Sequence, residues 1–158
     1  MKRIIIDQDK CDGCKNCSIA CMQAHREPGP DGSRGSFYDL DLLDQKNEAR
    51  HTIVINAKGY VPVFCRHCSV PDCAGACMSG ALKKDPVSGH VQYDEKRCGA
   101  CFMCVMSCPY GNVKPDKTTR SRILKCDFCI DDKEEPNCVK SCPKKAIHVE
   151  EVMGGGAA

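Results

Sequence analysis

The sequence predicts a small α+β protein in which short antiparallel hairpins and short helices surround inorganic centres. Sixteen of its 158 residues are cysteine, aromatic residues make up 5%, and tryptophan is absent. A chain this poor in large apolar side chains does not build a sizeable conventional core. The cysteines fall into four runs of four, and segments with strand or hairpin patterns lie between the runs.

The third run has a spacing that recurs in iron–sulfur proteins, C-x2-C-x2-C-x3-C followed by proline. Its members are Cys98, Cys101, Cys104 and Cys108, with Pro109 next. A loop carrying the first three can present three thiolates to one [4Fe–4S] cube. In two-cluster ferredoxins the fourth cysteine of such a run binds the other cluster, so one run implies a second run and a second cluster.

The remaining twelve cysteines form three comparable runs, and we number all four in chain order. Run 1 has the same spacing as run 3, whereas runs 2 and 4 have a longer gap between their second and third cysteines. Asp7 and Asp94 stand four residues before the first cysteine of runs 1 and 3, which indicates an internal repeat. Run 1 is Cys11, Cys14, Cys17, Cys21; run 2 is Cys65, Cys68, Cys73, Cys77; run 4 is Cys126, Cys129, Cys138, Cys142.

Disulfide bonds and zinc are the two alternatives for so many cysteines. Residues 1–7 hold only three apolar residues before a charge, unlike a secretory signal. We therefore expect a cytoplasmic protein, and in a reducing compartment dense cysteines favour metal over disulfides. Structural zinc sites usually combine separated cysteine pairs and do not need the evenly spaced third cysteine of runs 1 and 3.

The formal net charge of +2 is small. Four oxidised clusters, each with four thiolates, would add about −2 apiece and bring the protein to about −6. The basic residues then partly compensate cluster charge. We expect neither a nucleic-acid partner nor a membrane span, since no segment approaches the length of a membrane helix.

Local patterns predict the elements between the runs. Residues 36–56 belong to no run, and we interpret them as a cover over a cluster, with a partner-docking surface as the alternative. We expect the acidic loop 130–137 to fill the gap in run 4, and residues 153–158 to be a low-complexity tail. The predicted elements are a strand at 3–7, a helix at 18–25, strands at 51–55 and 60–64, a hairpin at 82–94, a solvated basic linker at 114–122, and a last strand at 146–150 that pairs with 3–7.

Residues 3–150 resemble the four-cluster ferredoxin-like electron-transfer subunits of molybdenum and tungsten oxidoreductases and of carbon monoxide dehydrogenase and hydrogenase systems. The iron–sulfur subunit of dimethyl sulfoxide reductase is the best-known relative. Met78 follows Cys77 where that family usually has proline. The motifs that carry the resemblance are Cys65-Arg66-His67-Cys68 to Cys77, Cys104 to Gly111, and Cys126-Asp127-Phe128-Cys129 with Cys138 to Pro143.

The resemblance implies interleaved ligand sets, which we call sites 1 to 4. It also implies two interleaved bacterial-type dicluster ferredoxin modules: an outer one at 1–35 plus 116–152, and an inner one at 57–115, with 36–56 inserted. The implied sets are Cys11, Cys14, Cys17 and Cys142 for site 1; Cys126, Cys129, Cys138 and Cys21 for site 2; Cys65, Cys68, Cys73 and Cys108 for site 3; Cys98, Cys101, Cys104 and Cys77 for site 4.

The resemblance further implies a non-catalytic electron-transfer subunit with four [4Fe–4S] clusters. The expected partner is a large catalytic oxidoreductase subunit of tungsten or molybdenum type, with an aldehyde-oxidoreductase-like enzyme preferred. A flavin- or NAD-binding subunit or a ferredoxin would be the second partner. Alternatives are a carbon monoxide dehydrogenase, formate dehydrogenase or hydrogenase system, or a free polyferredoxin. With four cysteines at every cluster, the histidines are expected to be structural or solvated: His25, His51, His67, His90 and His148.

Overall fold

The computed structural model describes residues 1–57, 59–130 and 135–152. Within these ranges, eight short strands form four two-stranded antiparallel sheets, accompanied by four short α-helices and three single-turn 3-10 helices. The strands are β1 Lys2–Ile6, β2 Thr52–Asn56, β3 Gly59–Val63, β4 Leu82–Lys84, β5 Val91–Tyr93, β6 Val113–Pro115, β7 Ile123–Lys125 and β8 Ile147–Glu151. The α-helices are α1 Asn16–Ala24, α2 Asp72–Gly75, α3 Met103–Ser107 and α4 Asn137–Lys140.

Strands from the two ends of the chain pair with each other. β1 runs antiparallel to β8, with Ile4 opposite Val149. Both strands are rich in β-branched residues, which suit a half-buried pleated surface. The predicted pairing of the first and last strands is confirmed, and it brings run 1 and run 4 into one neighbourhood.

The predicted hairpin at 82–94 is also confirmed. β4 pairs with β5, and Leu82 faces Tyr93 in the register. The Asp85 carboxylate accepts hydrogen bonds from the backbone N–H groups of Val87 and Ser88, so a side chain satisfies the backbone of the turn. This hairpin links run 2 directly to run 3.

The expectation of a solvated basic linker at 114–122 is correct for the exposed residues 117–121, but it missed the strands and the buried residue around them. β6 and β7 form a hairpin, with Lys114 opposite Leu124. The turn is organised by Asp116, whose side chain is fully buried and accepts hydrogen bonds from the N–H groups of Thr118 and Thr119. An aspartate whose side chain accepts hydrogen bonds from the backbone two and three residues ahead favours a turn. The sequence interpretation relied on the basic residues and overlooked this aspartate.

The segment 36–56 divides into a packed part and an exposed part. Leu40 and Ala49 pack against Cys21 and Met22 of α1, so this part covers the helix at the end of run 1. Tyr38 is 96% exposed. The strand predicted at 51–55 appears as β2, and it pairs with β3, a partner that its local pattern did not specify.

Apolar packing is divided among three small groups of buried residues, and cysteines belong to each. Hairpins β2–β3 and β6–β7 each cross a predicted module boundary, and the division into modules stays a prediction. Part of the acidic loop predicted at 130–137, and the whole tail predicted at 153–158, lie outside the described residues. In the described ranges no helix has the length and apolar character needed to cross a membrane.

We predict that Asp116→Ala destabilises the β6–β7 hairpin. The substitution removes the buried carboxylate that accepts hydrogen bonds from the N–H groups of Thr118 and Thr119, a loss of about 1–3 kcal/mol. In a domain of this size the apparent melting temperature of the cluster-loaded protein, followed by circular dichroism, should fall by several degrees. The control is Thr118→Ala, which keeps the N–H that Asp116 binds; equal melting temperatures for the two variants would contradict the assignment.

Candidate metal centres

The third cysteine of every run lies in a short helix. These residues are Cys17 in α1, Cys73 in α2, Cys104 in α3 and Cys138 in α4. The first two cysteines of each run precede the helix in irregular backbone. Each run therefore bends round a small volume before its helix leads to the fourth cysteine.

Two cavities are each lined by cysteines from two runs. Cys11, Cys14 and Cys17 of run 1 line one cavity together with Cys142 of run 4. The second cavity is lined by three cysteines of run 2 and one of run 3, namely Cys65, Cys68, Cys73 and Cys108. Each encloses about 360 Å³ of space between protein atoms, part of it open to solvent. The two linings contain the cysteine sets of sites 1 and 3.

Three cysteines of each of the other two sets also lie close to one another. Burial raises the pKa of Cys138, and the neighbouring Cys21 and Cys129 raise it further. Burial likewise raises the pKa of Cys104, with added contributions from Cys77 and Cys98. Each of these neighbours belongs to the same predicted set, site 2 or site 4.

Contacts between sets define an order. Cys138 of site 2 also interacts electrostatically with Cys17 of site 1. Cys126 of site 2 interacts with Cys65 of site 3. Sites 3 and 4 share one apolar group, in which Cys73 and Cys108 of site 3 pack against a cluster of buried residues that includes Cys104 of site 4. The sets therefore follow one another as 1, 2, 3, 4.

Backbone conformation repeats in the loops that carry the first cysteines. Gly13 and Ala100 occupy equivalent positions in runs 1 and 3 and have φ of 74° and 51°. Lys15 and Phe102, also equivalent, have φ of 63° and 57° and directly precede α1 and α3. The left-handed backbone conformation raises the energy of any residue that has a Cβ. In proteins generally, residues that alternate between left- and right-handed backbone conformations point successive N–H groups into one concavity. Such concavities bind anionic groups, including iron–sulfur clusters.

Backbone N–H groups also point at cysteine sulfurs. Arg50 donates to Cys21 Sγ at 3.3 Å, Leu82 to Cys77 Sγ at 3.4 Å, and Ala146 to Cys142 Sγ at 3.3 Å. Such bonds favour a thiolate over a thiol. Cysteine sulfurs that are grouped around cavities, some of them accepting backbone hydrogen bonds, are the donor set that an iron–sulfur cluster requires, so the residues present fit that group.

Three partly or fully buried lysines surround the sites. Lys84 Nζ donates to the carbonyls of His67 and Cys68 at 3.2 and 2.6 Å. Lys125 Nζ donates to the Cys126 carbonyl at 2.8 Å. Lys114 Nζ binds two carbonyls of the segment that covers α1. Sequence reasoning assigned no lysine to a site; the positions of Lys84 and Lys125 at the ends of β4 and β7 were the available signal.

Two histidines lie against Cys21. Burial opposes ionisation of this thiol, but His25 and His51 more than offset that and lower the pKa of Cys21 to about 6. His25 in turn contacts Asp127 at 3.0 Å through Nε2. Burial lowers the pKa of His25, yet Asp127 and Cys21 outweigh it and raise that pKa to about 10. A cationic His25 between two anions was not foreseen, because residues 25 and 127 are distant in sequence.

Exposure separates the ends of the series from its middle. Cys14 of site 1 and Cys101 of site 4 are exposed, whereas none of the eight cysteines of sites 2 and 3 is. Three of the five histidines, His51, His67 and His90, are buried. Each end of the series therefore has one exposed cysteine, and the two inner sets have partly or fully buried cysteines.

The family profile described as "4Fe-4S dicluster domain" matches residues 57–152, more than half of the chain. The chain is a member of the 4Fe-4S dicluster domain family. The expectation of an iron–sulfur protein of ferredoxin type is therefore confirmed. The short hairpins and helices of the structure agree with the α+β fold expected of such a protein.

Two curated relatives are similar to this protein over most of its length. The anaerobic dimethyl sulfoxide reductase of Escherichia coli (strain K12) contains a subunit that is 35% identical over 147 residues, covering 90% of this chain and 69% of that one. A protein of Rhodospirillum rubrum described as "Iron-sulfur protein" is 33% identical over 160 residues, covering 92% of this chain and 80% of that one.

Among solved structures, one subunit of the active-site complex BamBC of benzoyl coenzyme A reductase, in complex with benzoyl-CoA, superimposes with a TM-score of 0.50. It is 25% identical, and the match covers 97% of this chain and 82% of that subunit. Likeness therefore extends beyond the profile match to nearly the whole chain. The assignment of individual cysteines to clusters stays a prediction.

We predict that Gly13→Ala impairs the loop of run 1. Gly13 has φ of 74°, and a Cβ at this position would lie 2.5 Å from the Tyr60 ring. Strain of this kind costs about 1–3 kcal/mol, so the melting temperature and the iron content should both fall. Ala100→Gly is the matched control at the equivalent position of run 3, where glycine adopts the left-handed conformation freely. Unchanged iron content and stability in Gly13→Ala would show that the loop tolerates a Cβ.

Proposed function

We propose that this chain is a non-catalytic electron-transfer subunit that carries four [4Fe–4S] clusters in a row. It relays single electrons between the catalytic subunit of a cytoplasmic redox complex and a second redox partner. The observation that carries the proposal is the succession of four cysteine sets, in the order 1, 2, 3, 4, with an exposed cysteine at each end.

The proposed ligands are the sixteen cysteines of sites 1 to 4, three from one run and the fourth from another. The linings of the cavities at sites 1 and 3 support this division. The neighbours of Cys138 and Cys104 support it for sites 2 and 4. The spacing of runs 1 and 3 supports it independently, since the fourth cysteine of such a run binds the other cluster.

Complete cysteine ligation argues against catalysis at the clusters. Each bound cluster supplies a one-electron couple, whose potential depends on charge, hydrogen bonds to sulfur and solvent exposure. With four protein ligands at each cluster no coordination position is open to substrate. The protein's part is then to fix the spacing of the centres, donate N–H groups to sulfur and place Lys84, Lys114 and Lys125 nearby.

The proposed catalytic partner is a tungsten or molybdenum enzyme, with an aldehyde-oxidoreductase type preferred. Similarity to a subunit of dimethyl sulfoxide reductase and to a subunit of the BamBC complex supports a place in a multi-subunit oxidoreductase. Carbon monoxide dehydrogenase, formate dehydrogenase and hydrogenase systems are alternatives. The second partner would be a flavin- or NAD-binding subunit or a ferredoxin, and a reducing cytoplasm would keep the ligands as thiols.

The cluster count is tested by iron analysis and by electron paramagnetic resonance (EPR) of the dithionite-reduced protein. We expect about sixteen irons per chain, because each cubane holds four. About four irons per chain would rule out the relay. Cys104→Ser should lose about a quarter of the iron and lower the melting temperature, since metal binding contributes folding free energy. Met106→Leu, at an 83% exposed position of the same helix, should leave both unchanged.

The subunit role is tested by isolating the tagged chain from its native source under anaerobic conditions. We expect a large subunit to co-purify, with tungsten or molybdenum detected by elemental analysis of the complex. Recovery of the chain alone, still reducible and still loaded with about sixteen irons, would instead identify a diffusible polyferredoxin.

A further inference from the structure

His67 has one ring nitrogen whose role is fixed and one whose role is open. Its side chain is 1% exposed and lies in the loop between Cys65 and Cys68. Nδ1 accepts a hydrogen bond from the backbone N–H of Val91 at 2.9 Å. A neutral imidazole carries one N–H, so the proton lies on Nε2 and that nitrogen is a donor.

The Nε2–H group has no hydrogen-bond partner within the described part of the chain, although it is buried. Leaving a buried donor unpaired costs about 1–3 kcal/mol, and native proteins pair nearly all such groups. His67 also lines the cavity of site 3, together with the four cysteines of that set. The missing acceptor is therefore best sought in what occupies this cavity.

We propose that His67 Nε2–H donates a hydrogen bond to a sulfur of the cluster at site 3 and raises the reduction potential of that cluster. This inference rests on the proposed function. Reduction adds one electron to the cluster, taken from a neighbouring cluster that is oxidised in the same step. The added negative charge strengthens the hydrogen bond, while the proton stays on Nε2. Hydrogen bonds to sulfur are among the factors that set such potentials.

The neighbouring rings offer a weaker alternative. His90 lies 4.7 Å from His67 between ring centroids, and Phe128 lies 5.9 Å away with its plane at 82°. An N–H donor can point at an aromatic face, but such contacts are second-order. Removing His67 would then disturb packing without shifting one cluster in particular.

The test is an EPR-monitored redox titration of the four-cluster protein. His67→Phe keeps an aromatic ring and removes the donor. We expect the reduction equilibrium constant of one cluster to fall about tenfold, which is 59 mV for one electron, with the other three unchanged. His67→Gln, which places an amide N–H at a similar reach, should keep the reduction potential of that cluster close to the value in the unaltered protein.

His90→Phe is the matched control, because it alters a buried ring of the same group whose Nε2 lies against the Lys2 carbonyl instead. It should leave all four potentials in place. Unchanged potentials in His67→Phe, or an equal shift in His90→Phe, would overturn the proposal.

A measurement on the unaltered protein covers the case in which substitutions prevent cluster assembly. With nitrogen-15-labelled histidine, pulsed EPR should detect a nitrogen coupling to a reduced cluster. Absence of such a coupling from every reduced cluster would overturn the inference. Failure of the proposed function would look different, because fewer than four clusters would be present before any substitution.

Discussion

The structure depends on bringing cysteines from runs that are distant in sequence to the same cavity. At site 1 the partner of the N-terminal run comes from the last run of the chain, and β1–β8 pairing brings the two together. Each sheet has only two strands, and an isolated hairpin is marginally stable in water. The apolar groups are small and include cysteines. Cross-linking of distant segments through bound metal is therefore the interaction that can make one cooperative unit of them.

That constraint creates an electrostatic difficulty inside a small protein. Burial raises the pKa of Cys17 and of Cys73 to about 11, so binding iron would require these thiols to lose their protons. The resulting thiolates would lie in poorly solvated positions. Backbone donors and the ammonium groups of Lys84 and Lys125 lie where this charge gathers. These groups would stabilise the negative charge of bound clusters.

Local chemistry in the sequence was enough for features that depend on nearby residues. The turn at Pro86–Gly89 predicted the β4–β5 hairpin, and the matching lead-ins of runs 1 and 3 predicted a repeat. The β6–β7 hairpin was missed because its basic residues were given more weight than Asp116. The β2–β3 pairing was missed because alternating strand residues do not name their partner.

The candidate sites divide in the same way. Spacing identified the cysteines, but the left-handed conformations of Lys15 and Phe102 were not predictable from side chains that disfavour them. His67 was expected to be structural or solvated, like the other histidines. Its Nε2 is a donor because Nδ1 accepts the hydrogen bond from Val91 N–H, and that bond forms only when the β5 strand lies beside His67. Tertiary contacts of this kind have no counterpart in a linear pattern.

The difference in cysteine exposure between the ends and the centre bears on how the proposed relay would be tuned. Cys14 and Cys101 reach the surface, so a docked partner can exclude water there and change the terminal potentials. Sites 2 and 3 have no exposed cysteine, so residues of this chain would contribute more to their potentials than a docked partner would. His25, His67 and Lys125 lie at these two inner sites. Substitutions in the centre should therefore act whether or not a partner is bound, whereas those at the ends should act through docking.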